Sequence, residues 1–307
     1  MRRIPCILWL SMFAVQVAAQ PAFDTEALLT HVEVLSADSL EGRRTGSAGN
    51  LKARTYIRSV FERHQLRPFG DGYEHAFSFH RNGPDSVQGV NLLGYLQGTE
   101  EPETFIVLTA HYDHLGIRRG EIFNGADDNA SGVAGLLAAV DYFRRNPPRH
   151  SILIAALDAE ELGLQGARAF LTDPPVEREQ LALNVNLDMI SRNENNELFA
   201  AGTYHYPLLK PYLERVAAKS AIHLRFGHDQ RGGATGDDWT LSSDHGPFHR
   251  AGIPFVYFGV EDHPDYHRPT DDFKNIAPAF FIQSVETILA AITELDLHLE
   301  EMLEVRE

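Results

Sequence analysis

Residues 104–116 read TFIVLTAHYDHLG, an apolar run that ends abruptly in two histidines and an aspartate. A short apolar run rich in β-branched and aromatic residues is typical of a buried strand. His111, Asp113 and His114 would then lie at the carboxyl end of that strand. Because ligands gather at the carboxyl ends of strands in open α/β sheets, this stretch predicts the rim of a functional site.

Strand-like and helix-like segments alternate along the rest of the 307 residues. This alternation predicts a single α/β domain with a mixed, mainly parallel central sheet flanked by helices. The expected strands are 74–80, 89–97, 104–110, 151–157, 181–187, 197–201, 222–227 and 254–259. The expected helices are 24–37, 47–65, 130–145, 161–171, 207–219, 245–251 and 278–302.

Residues 1–19 are typical of a secretory signal peptide. Arg2 and Arg3 precede an apolar run at 4–15, and small residues favour cleavage after Ala19. The apolar run is too short for a transmembrane helix. We therefore expect an exported protein, periplasmic or secreted, that has no membrane span.

The composition of the expected mature domain, residues 20–307, excludes several kinds of chemistry. Cys6 is the only cysteine in the sequence, so this domain can have no disulfide, thiol nucleophile or cysteine metal ligand. Any metal must be bound by nitrogen and oxygen. The full sequence has a formal net charge of −16, and removal of Arg2 and Arg3 with the signal peptide makes it −18, which argues against nucleic acid or an anionic membrane as a partner.

Acidic and imidazole groups follow four of the expected strands, as HYDH (111–114), DAEELG (158–163), NLDM (186–189) and YHRPTDD (266–272). A fifth cluster, NGADDNASG (124–132), precedes a helix. The carboxyl ends of parallel strands meet at one edge of a sheet. So many carboxylates at one edge would repel each other without cations, and the sequence therefore predicts a metal centre.

Side-chain direction suggests roles within the first of these clusters. Residues two apart on an extended segment share a face, so His111 and Asp113 point together. A carboxylate beside a metal-bound imidazole fixes the tautomer of that ring. We expect His111 to be a ligand and Asp113 to orient it. His114 points elsewhere and is expected to support the site or lie at the surface.

Three other motifs offer carboxylates. Glu160 and Glu161 are adjacent, so their side chains diverge. This arrangement suits one metal ligand and one general base. An ordinary acidic first turn of a helix would give the same pattern. Asp127 and Asp128 suit a metal bridge and a structural partner, or merely a helix cap. Asp188 ends an apolar strand and needs a partner, which we expect to be metal.

In their order along the chain these motifs resemble the co-catalytic zinc aminopeptidases of the M28 peptidase family. The matching stretches are HYDHLG, NGADDNASGVAGLL, DAEELGLQGA, NLDMI, SSDHGPF and HPDYHRPTDD. The resemblance extends from about residue 87 to residue 277. It implies the phosphorylase/hydrolase-like zinc exopeptidase fold for the catalytic domain.

The resemblance also implies two zinc ions per chain. One zinc is expected at His111 and Asp188, and the other at Glu161 and His267. Asp127 is expected to bridge them, and the family pattern places a cis peptide bond directly after this residue, at Asp127–Asp128.

Glu160 is the general base that the resemblance implies, and Asp113 is the residue that orients His111. The group that stabilises the oxyanion is left open by the sequence. The candidates are Tyr204, Tyr206 and Trp239.

These expectations describe an exported di-zinc aminopeptidase, which removes N-terminal residues from peptides with a free N-terminus by means of a metal-activated water. A carboxypeptidase or small-molecule amidohydrolase on a related di-zinc core is an alternative, with Arg192 or Arg268 as a clamp for a substrate carboxylate. A glutaminyl cyclase-like activity and a non-enzymatic zinc-binding role are two further candidates for the function.

Overall fold

The computed structural model describes residues 23–80, 83, 85–233 and 235–304, so the expected signal peptide lies outside the described residues. The helices are α1 (Thr25–Leu35), α2 (Ala48–Arg63), α3 (Gly132–Arg145), α4 (Gln165–Thr172), α5 (Lys210–Ala217), α6 (His245–Arg250), α7 (Pro278–Leu297) and α8 (Leu299–Glu304). The strands are β1 (Arg67–Pro68), β2 (Glu74–His80), β3 (Ser86–Leu96), β4 (Glu101–His111), β5 (Gly116–Arg118), β6 (Glu121–Phe123), β7 (His150–Leu157), β8 (Leu181–Leu187), β9 (Glu197–Ala201), β10 (His223–Phe226) and β11 (Phe255–Gly259).

Nine of the strands in the described ranges form one mixed sheet, in the order β1–β3–β7–β4–β8–β11–β9–β10, with β2 paired to β3. The neighbouring strands β7, β4, β8 and β11 are parallel. The outer strands β3 and β9 join this group antiparallel, at β7 and β11 respectively. The α/β fold with a mixed central sheet is therefore confirmed, and its parallel core carries the strand ends that the sequence singled out.

Alternation along β4 gives the sheet two buried faces. Ile106 and Leu108 pack against the layer that contains α1, α2, α3, α5 and α7. Phe105 and Val107 pack against the layer that contains α4 and α6. Since side chains alternate along a strand, an unbroken apolar run serves both layers. None of the helices in the described part of the chain is both long enough and apolar enough to cross a membrane.

The helix termini follow local sequence. Asp24 caps α1 by accepting a hydrogen bond from the N–H of Ala27, and Ser47 caps α2 in the same way for Asn50. The expected helix at 278–302 is divided in the structure, because α7 ends at Leu297 and α8 begins at Leu299.

A tight turn replaces the beginning of the expected helix at 161–171. Helix α4 starts only at Gln165, because Ala159 and Leu164 have left-handed φ values of 59° and 60°. The carbonyl of Glu160 accepts the N–H of Leu164 at 2.8 Å and closes the turn. The two glutamates of DAEELG therefore lie on a turn at the sheet edge rather than on a helix.

Candidate metal centre

The titratable side chains meet where the parallel strands end. Strand β4 ends at His111, β7 leads into the turn with Glu160 and Glu161, and β8 is followed directly by Asp188. Because β7, β4 and β8 are consecutive in the sheet, these ends lie side by side. The segment that follows β11 brings His267 to the same edge.

One group of ligand atoms forms around His111. Its Nε2 lies 3.3 Å from Oδ1 of Asp128 and 3.4 Å from Oδ1 of Asp188. All three residues are buried, and their ligand atoms are close enough to hold one metal ion. The structure thus brings His111 and Asp188 together, as expected from the sequence.

A second group shares the other oxygen of Asp128. Nε2 of His267 lies 3.0 Å from Asp128 Oδ2 and 3.4 Å from Glu161 Oε1. His114 joins the same group, with Nδ1 at 2.8 Å from Glu161 Oε1 and 3.7 Å from Asp128 Oδ2. Asp128 therefore directs one carboxylate oxygen at each group and has the geometry of a bridge.

This placement corrects the expectation for Asp127. Its Oδ1 accepts hydrogen bonds from the N–H and hydroxyl of Ser191 at 2.8 and 2.7 Å, and its Oδ2 lies 3.1 Å from Nε2 of His263. The cis peptide bond is Asp128–Asn129, not Asp127–Asp128. Asp127 is thus a structural partner of the loop, and the expectation that it bridges the metals is wrong.

The carboxylate of Asp271 explains why the loop turns in this way. It accepts the backbone N–H groups of both Asp127 and Asp128, at distances of 2.9 to 3.2 Å. With both N–H groups held on one side, the adjacent side chains diverge. Burial raises the pKa of Asp271 to about 6, with a further contribution from Asp127.

Asp113 contacts both His111 and the turn that carries Glu160. Its carbonyl oxygen lies 3.1 Å from Nδ1 of His111, and its carboxylate Oδ1 lies 3.7 Å from the same nitrogen. Oδ1 also accepts the N–H of Glu160 at 3.0 Å. The orienting contact to His111 is therefore made chiefly by the backbone of Asp113, while its carboxylate holds the turn.

Burial and neighbouring charges shift several pKa values in the centre. Burial raises the pKa of Glu160 well above its ordinary value, and the carboxylates of Asp244 and Asp188 add to this shift. Burial opposes ionisation of Glu161, but the His114 and His267 rings lower its pKa to about 2. Burial also disfavours a charged His267, yet Asp128 and Glu161 raise its pKa to about 10.

Several buried polar atoms in the centre have no hydrogen-bond partner among the described residues. They are Oδ2 of Asp128, Oε1 of Glu161, Oδ1 of Asp188 and both ring nitrogens of His114. Buried polar groups are nearly always hydrogen-bonded or bound to a cation. Convergent carboxylate oxygens and imidazole nitrogens are ligands that zinc accepts. The residues present therefore fit a metal ion, and the donor set fits zinc.

A cleft of about 300 Å³ opens onto the centre. Its apolar wall includes Leu164, Met189 and Leu241, and Tyr266 lies beside His267 with the two rings stacked at 4.0 Å between centroids. Tyr266 is thus the tyrosine that lines the cleft among the described residues.

None of the three residues named from the sequence as oxyanion donors lines this cleft in the described structure. The hydroxyl of Tyr206 contacts His249, and the ring of Trp239 stacks on His228. Tyr204 is 55% exposed. The sequence could not have selected Tyr266, although that residue directly precedes a predicted ligand.

Paired imidazole and carboxylate groups at the end of a parallel sheet are used by metal-dependent hydrolases to activate water. Sequence comparison identifies the family: residues 91–292, well over half of the chain, match Peptidase family M28, and the chain belongs to that family.

Individual relatives carry different activities. Aminopeptidase YwaD of Bacillus subtilis (strain 168) is 30% identical over 205 residues, which cover 62% of this chain and 40% of YwaD. The chain spans less than half the length of the curated relatives that it matches. BSAP, a zinc aminopeptidase from Bacillus subtilis, superposes with a TM-score of 0.68 at 18% identity, over 88% of this chain and 95% of BSAP. A glutaminyl cyclase from Porphyromonas gingivalis superposes with a TM-score of 0.73 at 17% identity, over 89% and 98%. At such identities the structural likeness shows only a shared fold.

Proposed function

We propose that this M28 peptidase is a di-zinc aminopeptidase that removes N-terminal residues from peptides. The observation that carries the proposal is the position of Asp128, which directs one oxygen at each of two histidine–carboxylate groups next to Glu160. His111, Asp128 and Asp188 would hold one zinc, and Asp128, Glu161 and His267 the other. The aminopeptidase YwaD supports the same activity at 30% identity.

Glu160 is proposed as the general base. Two bound zinc ions would polarise the scissile carbonyl and lower the pKa of the attacking water. Glu160 lines the cleft, and its backbone N–H is held by the carboxylate of Asp113. Its side chain would accept a proton from the water and deliver it to the leaving amine. Burial raises the pKa of Glu160, which brings this pKa closer to those of the attacking water and the leaving amine.

Tyr266 replaces Tyr204, Tyr206 and Trp239 as the proposed oxyanion donor. Its ring is fixed by stacking on His267, and it lines the cleft. Burial raises the pKa of its hydroxyl, with further contributions from nearby carboxylates, so the hydroxyl keeps its proton. Tyr266→Phe should lower kcat by about 10²–10³-fold while leaving zinc content unchanged, the usual cost of one oxyanion donor. An unchanged kcat would exclude this role.

The described lining of the cleft offers no basic side chain that could bind a substrate carboxylate. Four carboxylates line the cleft, and no lysine or arginine does so among the described residues. Of the two candidate carboxylate clamps, Arg192 is paired with Asp265, and Arg268 does not line the cleft. Two zinc ions would offset the charge of these carboxylates, so the argument against a carboxypeptidase is that the described lining holds no basic clamp for a substrate carboxylate.

The decisive experiment compares aminoacyl amides with free and acetylated N-termini. A site that pairs with a polar group rejects analogues lacking it by up to about 10⁴–10⁵-fold. Free substrates should be hydrolysed and acetylated ones should not. Equal rates on both would exclude an aminopeptidase, and release of pyroglutamate from N-terminal glutamine without hydrolysis would indicate a cyclase.

Two variants of the adjacent glutamates provide matched controls. Glu160→Gln should keep both zinc ions and lower kcat by about 10²–10⁴-fold, because only the base is lost. Glu161→Gln should lose zinc from one site. Metal content by elemental analysis and single-turnover rates distinguish the two, and the opposite pattern would exchange the assigned roles.

We also propose that the protein is exported, because residues 1–19 have the charge and hydropathy pattern of a signal peptide. Expression of the full sequence in a bacterial host should give a protein outside the cytoplasm that begins at Gln20. Intact-mass measurement of that protein tests the cleavage site, and recovery of the uncleaved chain in the cytoplasm would refute export.

A further inference from the structure

The contacts of His114 exceed the supporting or surface role that the sequence predicted for it. Its side chain is fully buried, and Nδ1 lies 2.8 Å from Oε1 of Glu161. Both ring nitrogens nevertheless lack a hydrogen-bond partner among the residues described, and so does Oε1 of Glu161. The close approach is therefore not aligned as a hydrogen bond.

The loop is shaped around this ring. Gly125 has a left-handed φ of 57°, and a Cβ atom at that position would lie 2.6 Å from Cγ and Cδ2 of His114. The ring thus packs directly on the backbone that leads to Asp128. A buried imidazole held this tightly with neither nitrogen paired is unfavourable unless something else binds it.

The separations match those of two ligands on one metal ion. Zinc binds nitrogen and oxygen at about 2.0–2.2 Å, so two of its tetrahedral ligand atoms lie about 3.3 Å apart. His114 Nδ1 is 2.8 and 3.7 Å from the oxygens of Glu161 and Asp128, and His267 Nε2 is 3.4 and 3.0 Å from the same two atoms. The two histidines approach the same pair of oxygens from two directions.

We propose, on the basis of the metal centre proposed above, that His114 is an additional ligand of the zinc held by Asp128, Glu161 and His267. The two sites then differ in composition. One has a single imidazole and two carboxylates, whereas the other has two imidazoles and two carboxylates. The site with His114 should bind zinc more tightly and should be the last to lose it to a chelator.

The experiment titrates zinc from the purified mature protein with a competing chelator and resolves the two affinities. His114→Gln should weaken the tighter site by more than about 100-fold, because loss of a residue that only orients a ligand costs about 10–100-fold. The weaker site should change little. His31→Gln is the matched control, since His31 is also buried but lies on α1 and contacts Tyr56. This control should leave both affinities unchanged.

A loss of less than about 100-fold at the tighter site in folded His114→Gln protein would overturn the proposal, because a residue that only orients a ligand costs that much. Crystals of the zinc-loaded native protein give a test that does not depend on any variant folding. A zinc within about 2.3 Å of His114 Nδ1 supports ligation, and a separation above about 3 Å refutes it. The two proposals can fail independently. A native protein that binds zinc as described but does not hydrolyse aminoacyl amides would refute only the aminopeptidase proposal.

Discussion

Arg43 is the fixed cation beneath the metal centre, and its replacement by methionine should destabilise the whole site. The side chain is 1% exposed. Its Nε donates to the carbonyl of Tyr112 at 2.8 Å, and Nη1 donates to the carbonyls of Leu35 and Asn124 at 2.5 Å. Nη2 donates to the carbonyl of Gly125 at 3.0 Å. One guanidinium thus connects the end of α1 to two of the segments that carry candidate metal ligands, the one after β4 and the one that leads to Asp128.

The expected cost follows from these bonds. Methionine keeps most of the aliphatic stem, so the main loss is polar. All four carbonyls lose the guanidinium, but that of Gly125 still accepts the N–H of Ala130 at 3.1 Å, so the cost falls on the other three. Each buried group left unsatisfied costs about 1–3 kcal/mol, so the loss of three such bonds in Arg43→Met should lower the free energy of unfolding by roughly 3–9 kcal/mol. That is a large part of the roughly 5–15 kcal/mol by which a domain is usually stable.

Urea unfolding of metal-free protein measures this cost without a contribution from zinc binding. The urea concentration at the midpoint of unfolding should fall sharply, while the dependence of the unfolding free energy on urea concentration should remain unchanged. Arg58→Met is the control, because Arg58 lies on the exposed side of α2 and makes only surface ion pairs with Glu62 and Glu74. It should cost no more than about 1 kcal/mol. If Arg43→Met also costs less than about 1 kcal/mol, water replaces the guanidinium and the reasoning is wrong.

Two further predictions concern the aspartate pair and a distant histidine. Asp128→Asn should lower the zinc affinity of both sites, whereas Asp127→Asn should destabilise the loop but leave two zinc ions bound at saturation. Elemental analysis measures the bound zinc. Equal metal loss in the two variants would restore Asp127 as the bridge. Burial opposes the charged form of His150, but its contacts with Asp296 at 2.9 Å and Glu300 at 3.2 Å raise its pKa. Stability from this ionised ring is complete below the unfolded pKa of about 6.5 and is lost as pH rises through the raised folded pKa. The melting temperature of His150→Gln should therefore fall furthest below that of the native protein under mildly acidic conditions, and a gap that widens with rising pH would contradict this sign.

The strand ends could be predicted from sequence because they depend on residues that are neighbours along the chain. An apolar run such as 104–110 must be buried, and polar groups directly after it must lie at the edge of the sheet. Alternation of strands with helices then limits the order of elements. His111, Glu160, Glu161, Asp188 and His267 could be brought to one edge on this basis.

The roles of adjacent residues depend on contacts that are distant in sequence. Asp127 and Asp128 have the same chemistry. Ser191 and His263 contact the carboxylate of Asp127, whereas the carboxylate of Asp128 faces the two groups of ligand atoms. His114 was expected to point away from His111, as it would on a continuing strand. Strand β4 ends at His111, however, so the rule of alternating faces does not extend to His114.

Groups that belong to the chain hold the centre together before metal binds, but they leave some of its oxygens unpaired. A cluster of buried carboxylates is opposed by desolvation and by mutual repulsion, and Asp113, Asp188 and Glu160 show this in their raised pKa values. Backbone N–H groups and the guanidinium of Arg43 stabilise the loops permanently, because they belong to the chain. They do not neutralise the oxygens of Asp128 and Glu161 that lack partners. A bound cation would satisfy those oxygens directly, so metal affinity and folding stability should be coupled through them.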